Sequence, residues 1–524
     1  MDMKKMKNKI MILGAMLLLV LVTSCREESD AVQNYVFYDG LAYNDAEESY
    51  AGKFKVLWKA LDQNYGIWDY ERSLGVDWDA VYDEFLPKYE ALDERDDVTD
   101  DELQKLLEET VAPLHDGHFV AQMHNHQTDG FVIAYPGATR TKQRDDFEAA
   151  QYTTHDLRAY LPVQYGGIGD QILEYKEGNT LPSGILKTVY NTPGIGYQWA
   201  KAHVNDPTLE DNKKRGLQAF INDFDNLYNL LINGLDMATG IQMYDQLVAS
   251  NQYLQIPGLI PSATFGDYGI AVKYAHFKNN IAYFFFSGFF LTPYLDDEYF
   301  QQLFGQKDAT AQQLALTVRQ AWQAWFDKVQ ELHANGQLKG VIIDLRNNGG
   351  GMLNDYQYVL GSMLPSGGFE VSLSRFKRGL GRYDYSPLSP FKVKTLEADH
   401  ETITEPIVIL GNCGSISMSE MTTLGCQSLP NGLLIGKRTH GGLCSLNKDP
   451  SNYYQNYAGI VGEQDKTPVW LYIPQMVTMS KEKQIFEGVG LTPDIEADFD
   501  ITLSQTTGRD TQLERALQCC TNGN

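Results

Sequence analysis

The chain has 524 residues and a formal net charge of −25, with 43% hydrophobic and 12% aromatic residues, 31 of them Tyr. That length exceeds one ordinary core, so two or three domains are expected, and the apolar content excludes a disordered or fibrous chain. The acidic balance, with no basic cluster beyond the extreme N-terminus, excludes nucleic acid and anionic headgroups as natural partners.

Residues 1–24 read as a targeting segment. Lys4, Lys5, Lys7 and Lys9 form a positive start, and Ile10 to Val22 is an apolar run of 13 residues, too short to span a bilayer as a mature helix. The run ends in Val22-Thr23-Ser24-Cys25, which resembles a bacterial lipobox, so Cys25 is the expected lipidation site. An ordinary secretory signal with an incidental Cys is the alternative. Residues 25–45 read as a tether, and the acidic Arg26 to Asp30 stretch resembles the surface-export signal of some lipoproteins of the Bacteroidetes type. Five further cysteines, an odd number spread thinly and without CxxC spacing, do not describe a disulfide scaffold or a structural zinc site.

Residues 46–118 carry helical periodicity. Phe54, Leu57, Trp58 and Leu61 recur on one face, Trp78, Val81, Tyr82 and Phe85 repeat the stripe, and Thr99-Asp100-Asp101-Glu102 reads as a capped start for a third helix. Residues 119–262 show breakers, one helix near Leu217 to Leu235, no repeat and no clear PDZ signature; their fold is left unassigned, with a divergent PDZ domain or an insertion as the alternatives. From 263 to 524 strands alternate with helices. The strands are expected at Asn280–Phe286, Val341–Leu345, Pro406–Leu410 and Leu433–Gly436. Helices are expected at Ala311–Leu332, after Asn354, from Ser419, and around Leu513–Leu517. This is an α/β core with its site at strand C-terminal ends.

Two of those strands run into loops of chemical character. Asp344 to Gly351 ends in three glycines, which let backbone N–H groups approach a ligand and suit an oxyanion hole; a phosphate cradle lacks its Walker lysine here. Asn412 to Glu420 places Ser415, Ser417 and Ser419 at a strand-to-helix junction. There a Ser presents its Oγ and the next N–H to one spot, unless it merely caps the helix. Ser419 fits the capping role better than Ser417. The base must come from elsewhere, and His118 stands at the exit of the helical region. His115, His118, His124 and His126 also admit a metal reading, but no HExxH helix supports it, and no metal or other cofactor is expected.

Taken together, these segments resemble the C-terminal-processing and tricorn-type serine peptidases. The matching pieces are Asn64-Tyr65, Asp77 to Asp79, Leu114 to Phe119, Asp344 to Gly351 and Asn412 to Glu420. Gly436 to Gly442, Glu487 to Asp494 and Asp510 to Leu517 complete the set in the family's order. The resemblance implies a crotonase-like spiral αββ core behind an N-terminal α-helical domain, and a peptide or protein substrate. One catalytic design of the family uses a Ser–Lys dyad, but its Lys position here holds Gly442. The tricorn-like design uses Ser, His and Glu. It implies Ser417 as nucleophile, His118 as base, Glu487 as orienter, and the N–H groups of Gly350 and Met418 as oxyanion donors. Gly349 and Ser415 are the fallbacks. The tricorn branch has a Ser beside its His where this chain has Gly117. An inactive peptide- or glycan-binding surface lipoprotein on the same scaffold is the main alternative. An acyl-CoA enzyme would be cytosolic, which the lipobox opposes. Location in the cell envelope, lipid-anchored at the outer membrane or cell surface, is expected, and the oligomeric state is left open.

Overall fold

The structure is a computed structural model, and it describes residues 48–147, 153, 155–179, 204–205, 211–232, 270–305, 309–379, 381–444, 460–462 and 464–522. The targeting segment, Cys25 and the tether lie outside the described residues, as does much of 180–269, where a PDZ-like fold would fall. The chain forms two compact units: the first takes residues up to Arg140, Leu373–Pro390 and Gly442–Gly488, the second Thr141–Ser372, Phe391–Gly441 and Val489–Asn524. This differs from the contiguous segments read from the sequence, because stretches late in the chain cluster with the N-terminal helices.

In the first unit, helices run Tyr50–Asn64, Trp68–Ser73, Trp78–Asp93 and Asp100–Val111. Their starts follow from side chains that satisfy orphan N–H groups: Asp77 accepts from Asp79 and Ala80, and Thr99 accepts from Glu102 at 3.3 Å. Phe54, Leu57, Leu61, Trp78, Phe85 and Tyr89 are buried in one cluster, each worth about 1.5–3 kcal/mol of apolar burial. The Trp58 and Trp78 indoles donate to each other's carbonyls at 2.7 and 3.2 Å, pinning the first helix to the third. These helices share their core with an antiparallel sheet in the order Ile460–Val461, Val469–Tyr472, Val120–Asn125, Gly130–Ala134. The first strands of the supposed middle region therefore belong to this unit.

The second unit is built on a seven-stranded sheet, ordered Ile495–Glu496, Gly432–Gly436, Ile407–Gly411, Gly340–Asp344, Ile281–Phe286, Ala271–Phe277, Ile172–Asn179. The first five are parallel and the last two pair antiparallel. Alternation along Ile281–Phe286 shows both faces covered. Tyr283 and Phe285 join a core with Leu513 and Ala516 of the helix Thr511–Asn522, whereas Phe284 stacks on Trp325 of the helix Ala309–Ala334. The segment after Asn354 is 3-10 rather than α-helical, at Leu353–Tyr358 and Leu360–Met363. Among the described residues no helix is long and apolar enough to cross a membrane.

Candidate active site

The two chemical loops meet because their strands are parallel neighbours, with Asp344 opposite Leu410. Both loops therefore leave the same C-terminal edge of the sheet. They are laced together. Asn347 donates its N–H to Asn412 Oδ1 at 2.9 Å, and Asn412 Nδ2 donates back to Asn347 Oδ1 at 3.0 Å. Ser415 Oγ donates to the Leu345 carbonyl at 2.7 Å, and Ser419 Oγ to the Asn348 carbonyl at 2.7 Å. Ser415 and Ser419 are fully buried and spent on this lacing. Ser419 is not the cap expected of it: it sits inside the helix Met418–Gln427 and its hydroxyl turns back to the glycine loop.

Ser417 is the residue left at the junction. It occupies the N-cap position with φ 62° and ψ −119°, and makes no side-chain capping bond. Such a left-handed backbone at a residue with a Cβ is sterically costly and is tolerated only where the surroundings impose it. Gly350 is part of what imposes it. With φ +87°, its backbone lies so close that a Cβ there would stand 2.6 Å from Ser417 Cβ and 2.8 Å from Met418 N. Gly350, Ser417 and Met418 are thus brought together. Met418 opens the helix, so its N–H has no intrahelical acceptor. The Gly350 N–H donates to Asn348 Oδ1 at 2.9 Å, so its use as an oxyanion donor requires exchange of that bond. Gly349, the fallback, is exposed.

Beneath the glycine loop lies a fully buried ionic network that the sequence reading did not single out. Arg346 binds Asp344 through Nε (2.8 Å) and Nη2 (2.5 Å), and reaches Asp510 and Gln512 through Nη1 at 3.0 and 2.9 Å. Tyr283 donates to Asp344 at 2.8 Å and His155 Nδ1 stands 3.2 Å from it. Burial alone would push the Asp344 carboxyl up, but Arg346 and His155 beside it hold it below the usual carboxylate range. The signal was available: Asp344 and Arg346 are two apart at a strand end and so share a side.

Glu420, one turn into the same helix, is buried and accepts from Thr439 Oγ1 at 2.5 Å and from the Gly441 N–H at 2.8 Å. It therefore fixes the turn in which a dyad lysine would stand. Lys437, before that turn, pairs with Glu496 and Asp498 at the strand end. His440 donates its N–H to the Ser415 carbonyl at 3.0 Å and places Nδ1 3.2 Å from the Cys413 carbonyl; burial lowers its pKa to about 4.

His118 and Glu487 belong to the first unit. His118 follows a turn made by Asp116, whose Oδ1 accepts from the N–H groups of His118 (2.8 Å) and Phe119 (3.1 Å). Glu487 is fully buried among backbone donors: Oε1 accepts from Leu443 and Cys444, each at 2.5 Å, and Oε2 from Gly117 at 3.0 Å. Glu487 is thereby held against the residue that precedes His118. Beside them, Glu71 accepts from Tyr65 Oη at 2.7 Å and from the His115 N–H at 2.7 Å, with His115 Nδ1 2.7 Å from its other oxygen. Asp116 N donates to Tyr65 Oη at 3.2 Å. His124 pairs with Asp129 and His126 stands 3.2 Å from Lys53 Nζ, so the histidines of the sequence cluster serve different partners.

Among the described residues, one trio could hold an ion: Asp116, Cys444 and Glu487 bring ligand atoms within 4.8 Å of one another, all buried. Three backbone N–H groups already donate to the Glu487 carboxylate. Cys413, Cys426, Cys444, Cys519 and Cys520 are buried thiols.

A strained serine at the head of a helix, beside a glycine loop at the C-terminal edge of a parallel sheet, is the arrangement a hydrolase nucleophile would use. Residues 309–497 match the model of peptidase family S41. The match supports a serine-type peptidase, an enzyme class whose substrates are peptides or proteins. No curated protein matches the chain. Similar solved structures include a candidate peptidase from Parabacteroides merdae, at 16% identity, covering 90% of this chain and 96% of that one with a TM-score of 0.46. Mature CPAF bound to lactacystin is 10% identical, over 91% and 99% of the two chains, with a TM-score of 0.44. The tricorn protease is 18% identical, over 40% and 20%, with a TM-score of 0.24.

Proposed function

We propose that the protein hydrolyses peptide bonds with Ser417 as nucleophile, His118 as general base and Glu487 as the group that orients the imidazole. Ser417 Oγ attacks the carbonyl carbon while His118 takes its proton, and His118 then returns that proton to the leaving amine. Water attacks the acyl-enzyme by the same route in reverse roles. The Met418 N–H, with that of Gly350 or Gly349, holds the oxyanion, each donor contributing about 3 kcal/mol to the barrier. The observation that carries this reading is the backbone of Ser417, φ 62°, which lifts its hydroxyl out of the capping role that Ser415 and Ser419 also decline. The core is proposed to follow the crotonase-like spiral topology behind the N-terminal helical domain. Export as a lipoprotein through Cys25, with a lipid anchor in the cell envelope, is proposed from the lipobox-like sequence.

The test is hydrolysis of a peptide panel by the chain lacking residues 1–25, beside Ser417→Ala, His118→Ala and Glu487→Gln. Loss of at least a hundredfold in kcat for Ser417→Ala and His118→Ala, with wild-type melting curves, supports the mechanism. A folded wild-type chain that cleaves nothing in the panel favours the inactive binding lipoprotein, which the Gly117 and Gly442 departures also favour.

A further inference from the structure

We infer that Asp116 is a positioning residue for the reaction: a buried carboxylic acid, close to Glu487 and Cys444, that fixes the His118 backbone through Oδ1 and keeps a proton on Oδ2. This rests on the triad reading, since it gives Asp116 a role through His118 and Glu487.

The geometry divides the work between the two carboxyls. Both are buried, Asp116 at 1% and Glu487 at 0% exposure, with ligand atoms of the pair and of Cys444 within 4.8 Å of one another. Two carboxylates so close and so dry cannot both ionise, and the one with more donors keeps the charge. Glu487 has three N–H donors spread over both oxygens. Asp116 has two donors, both on Oδ1, and Oδ2 has no hydrogen-bond partner among the described residues. An ionised Oδ2 would be a buried bare charge close to a second carboxylate, whereas a protonated one carries no charge to be compensated. The groups facing Asp116 are Glu487, Glu71 and Cys444, with the phenols of Tyr65 and Tyr472. Of the ionisable side chains nearby, His118 stands two residues on, and Arg140, on the helix packed against the Asp116 backbone, donates to the Ala112 carbonyl at 2.7 Å; burial first, then Glu487, pushes the Asp116 carboxyl well above its ordinary range.

Losing that proton places a second negative charge next to Glu487 and repels the turn that carries His118. Activity therefore has an alkaline limb set by Asp116. Asp116→Asn reproduces the neutral acid: its Oδ1 still accepts from His118 and Phe119, and its uncharged amide group stands where the protonated oxygen was. Asp116→Ala removes both.

The experiment measures kcat and KM from pH 5 to 10 for wild type, Asp116→Asn, Asp116→Ala and His118→Ala, each checked by melting curve and metal content. Expected is Asp116→Asn within about threefold of wild-type kcat at pH 7, with activity extending to higher pH than wild type. Asp116→Ala loses about a hundredfold in kcat with KM changed less than threefold. Asp116→Asn as inactive as Asp116→Ala, an unchanged alkaline limb in Asp116→Asn, or one equivalent of metal in the purified wild type each overturns the inference. If Asp116→Ala does not fold, the Asp116→Asn profile alone decides. An active His118→Ala overturns the triad itself and this inference with it; an inactive His118→Ala beside an inactive Asp116→Asn overturns this inference alone.

Discussion

Replacing Ser417 by Gly should make the protein more stable while abolishing its activity. Ser417 holds φ 62° and ψ −119°, a conformation that glycine adopts freely and that costs other residues about 1–3 kcal/mol. Against that gain stands the greater freedom of Gly in the unfolded chain, about 0.5–1 kcal/mol. The hydroxyl makes no capping bond, so little else is lost. At mid-range the net is a stabilisation of roughly 1 kcal/mol, or a few degrees in melting temperature at about 2–4 °C per kcal/mol for a unit of this size. Ser417→Ala keeps the Cβ and hence the strain, and should melt within about 0.5 kcal/mol of wild type. Calorimetry on the three proteins, following the transition of the unit that contains Ser417, separates them. A Ser417→Gly protein that melts at or below Ser417→Ala would refute the claim that this serine is held under strain for function.

Other consequences follow from the same contacts. Gly350→Ala brings a Cβ to 2.6 Å from Ser417 Cβ and 2.8 Å from Met418 N at φ +87°; strain plus overpacking should cost about 3–5 kcal/mol, read by denaturant titration, with peptidase activity lost. Ser419→Ala removes the buried donor that Asn348 O and Oδ1 share and should cost about 1–2 kcal/mol, while the folded variant still reacts at Ser417 with an active-site serine probe. His440 is held neutral to about pH 4 by burial, below its ordinary 6.5, so the unfolded chain takes up the proton first. Stability should fall as pH drops from about 6.5 to 4, by on the order of 3 kcal/mol, and His440→Gln should flatten that part of the acid melting profile relative to wild type.

How far the sequence disclosed this molecule depended on whether a feature was local. The strands Ile281–Phe286, Gly340–Asp344, Ile407–Gly411 and Gly432–Gly436 were legible because central parallel strands are continuous apolar runs. The strand Ala271–Phe277 was not, because Lys273 and His276 interrupt its run although both are buried. The cap at Thr99 was legible and formed as expected, since N-caps are chosen by residues within one turn. The composition of the units was not, because pairing between Val120–Asn125 and Val469–Tyr472 leaves no mark on either segment alone. At the site, the type of loop was readable but not its torsion. Ser415, Ser417 and Ser419 differ in role through where Leu345 and Asn348 present their carbonyls, which lies some seventy residues away in the chain. Asp116 offered a signal that went unused: an Asp just before Gly117 and His118 is the usual maker of an Asx turn.

Covalent labelling tests the role of Ser417 most directly. The chain lacking residues 1–25 is treated with a fluorophosphonate, with and without chelator, digested, and the modified residue located by mass spectrometry. One modified serine, Ser417, is expected, labelled equally with chelator present and absent, with no labelling in Ser417→Ala. Modification at Ser415 or Ser419, or peptide hydrolysis that survives Ser417→Ala, would contradict that role.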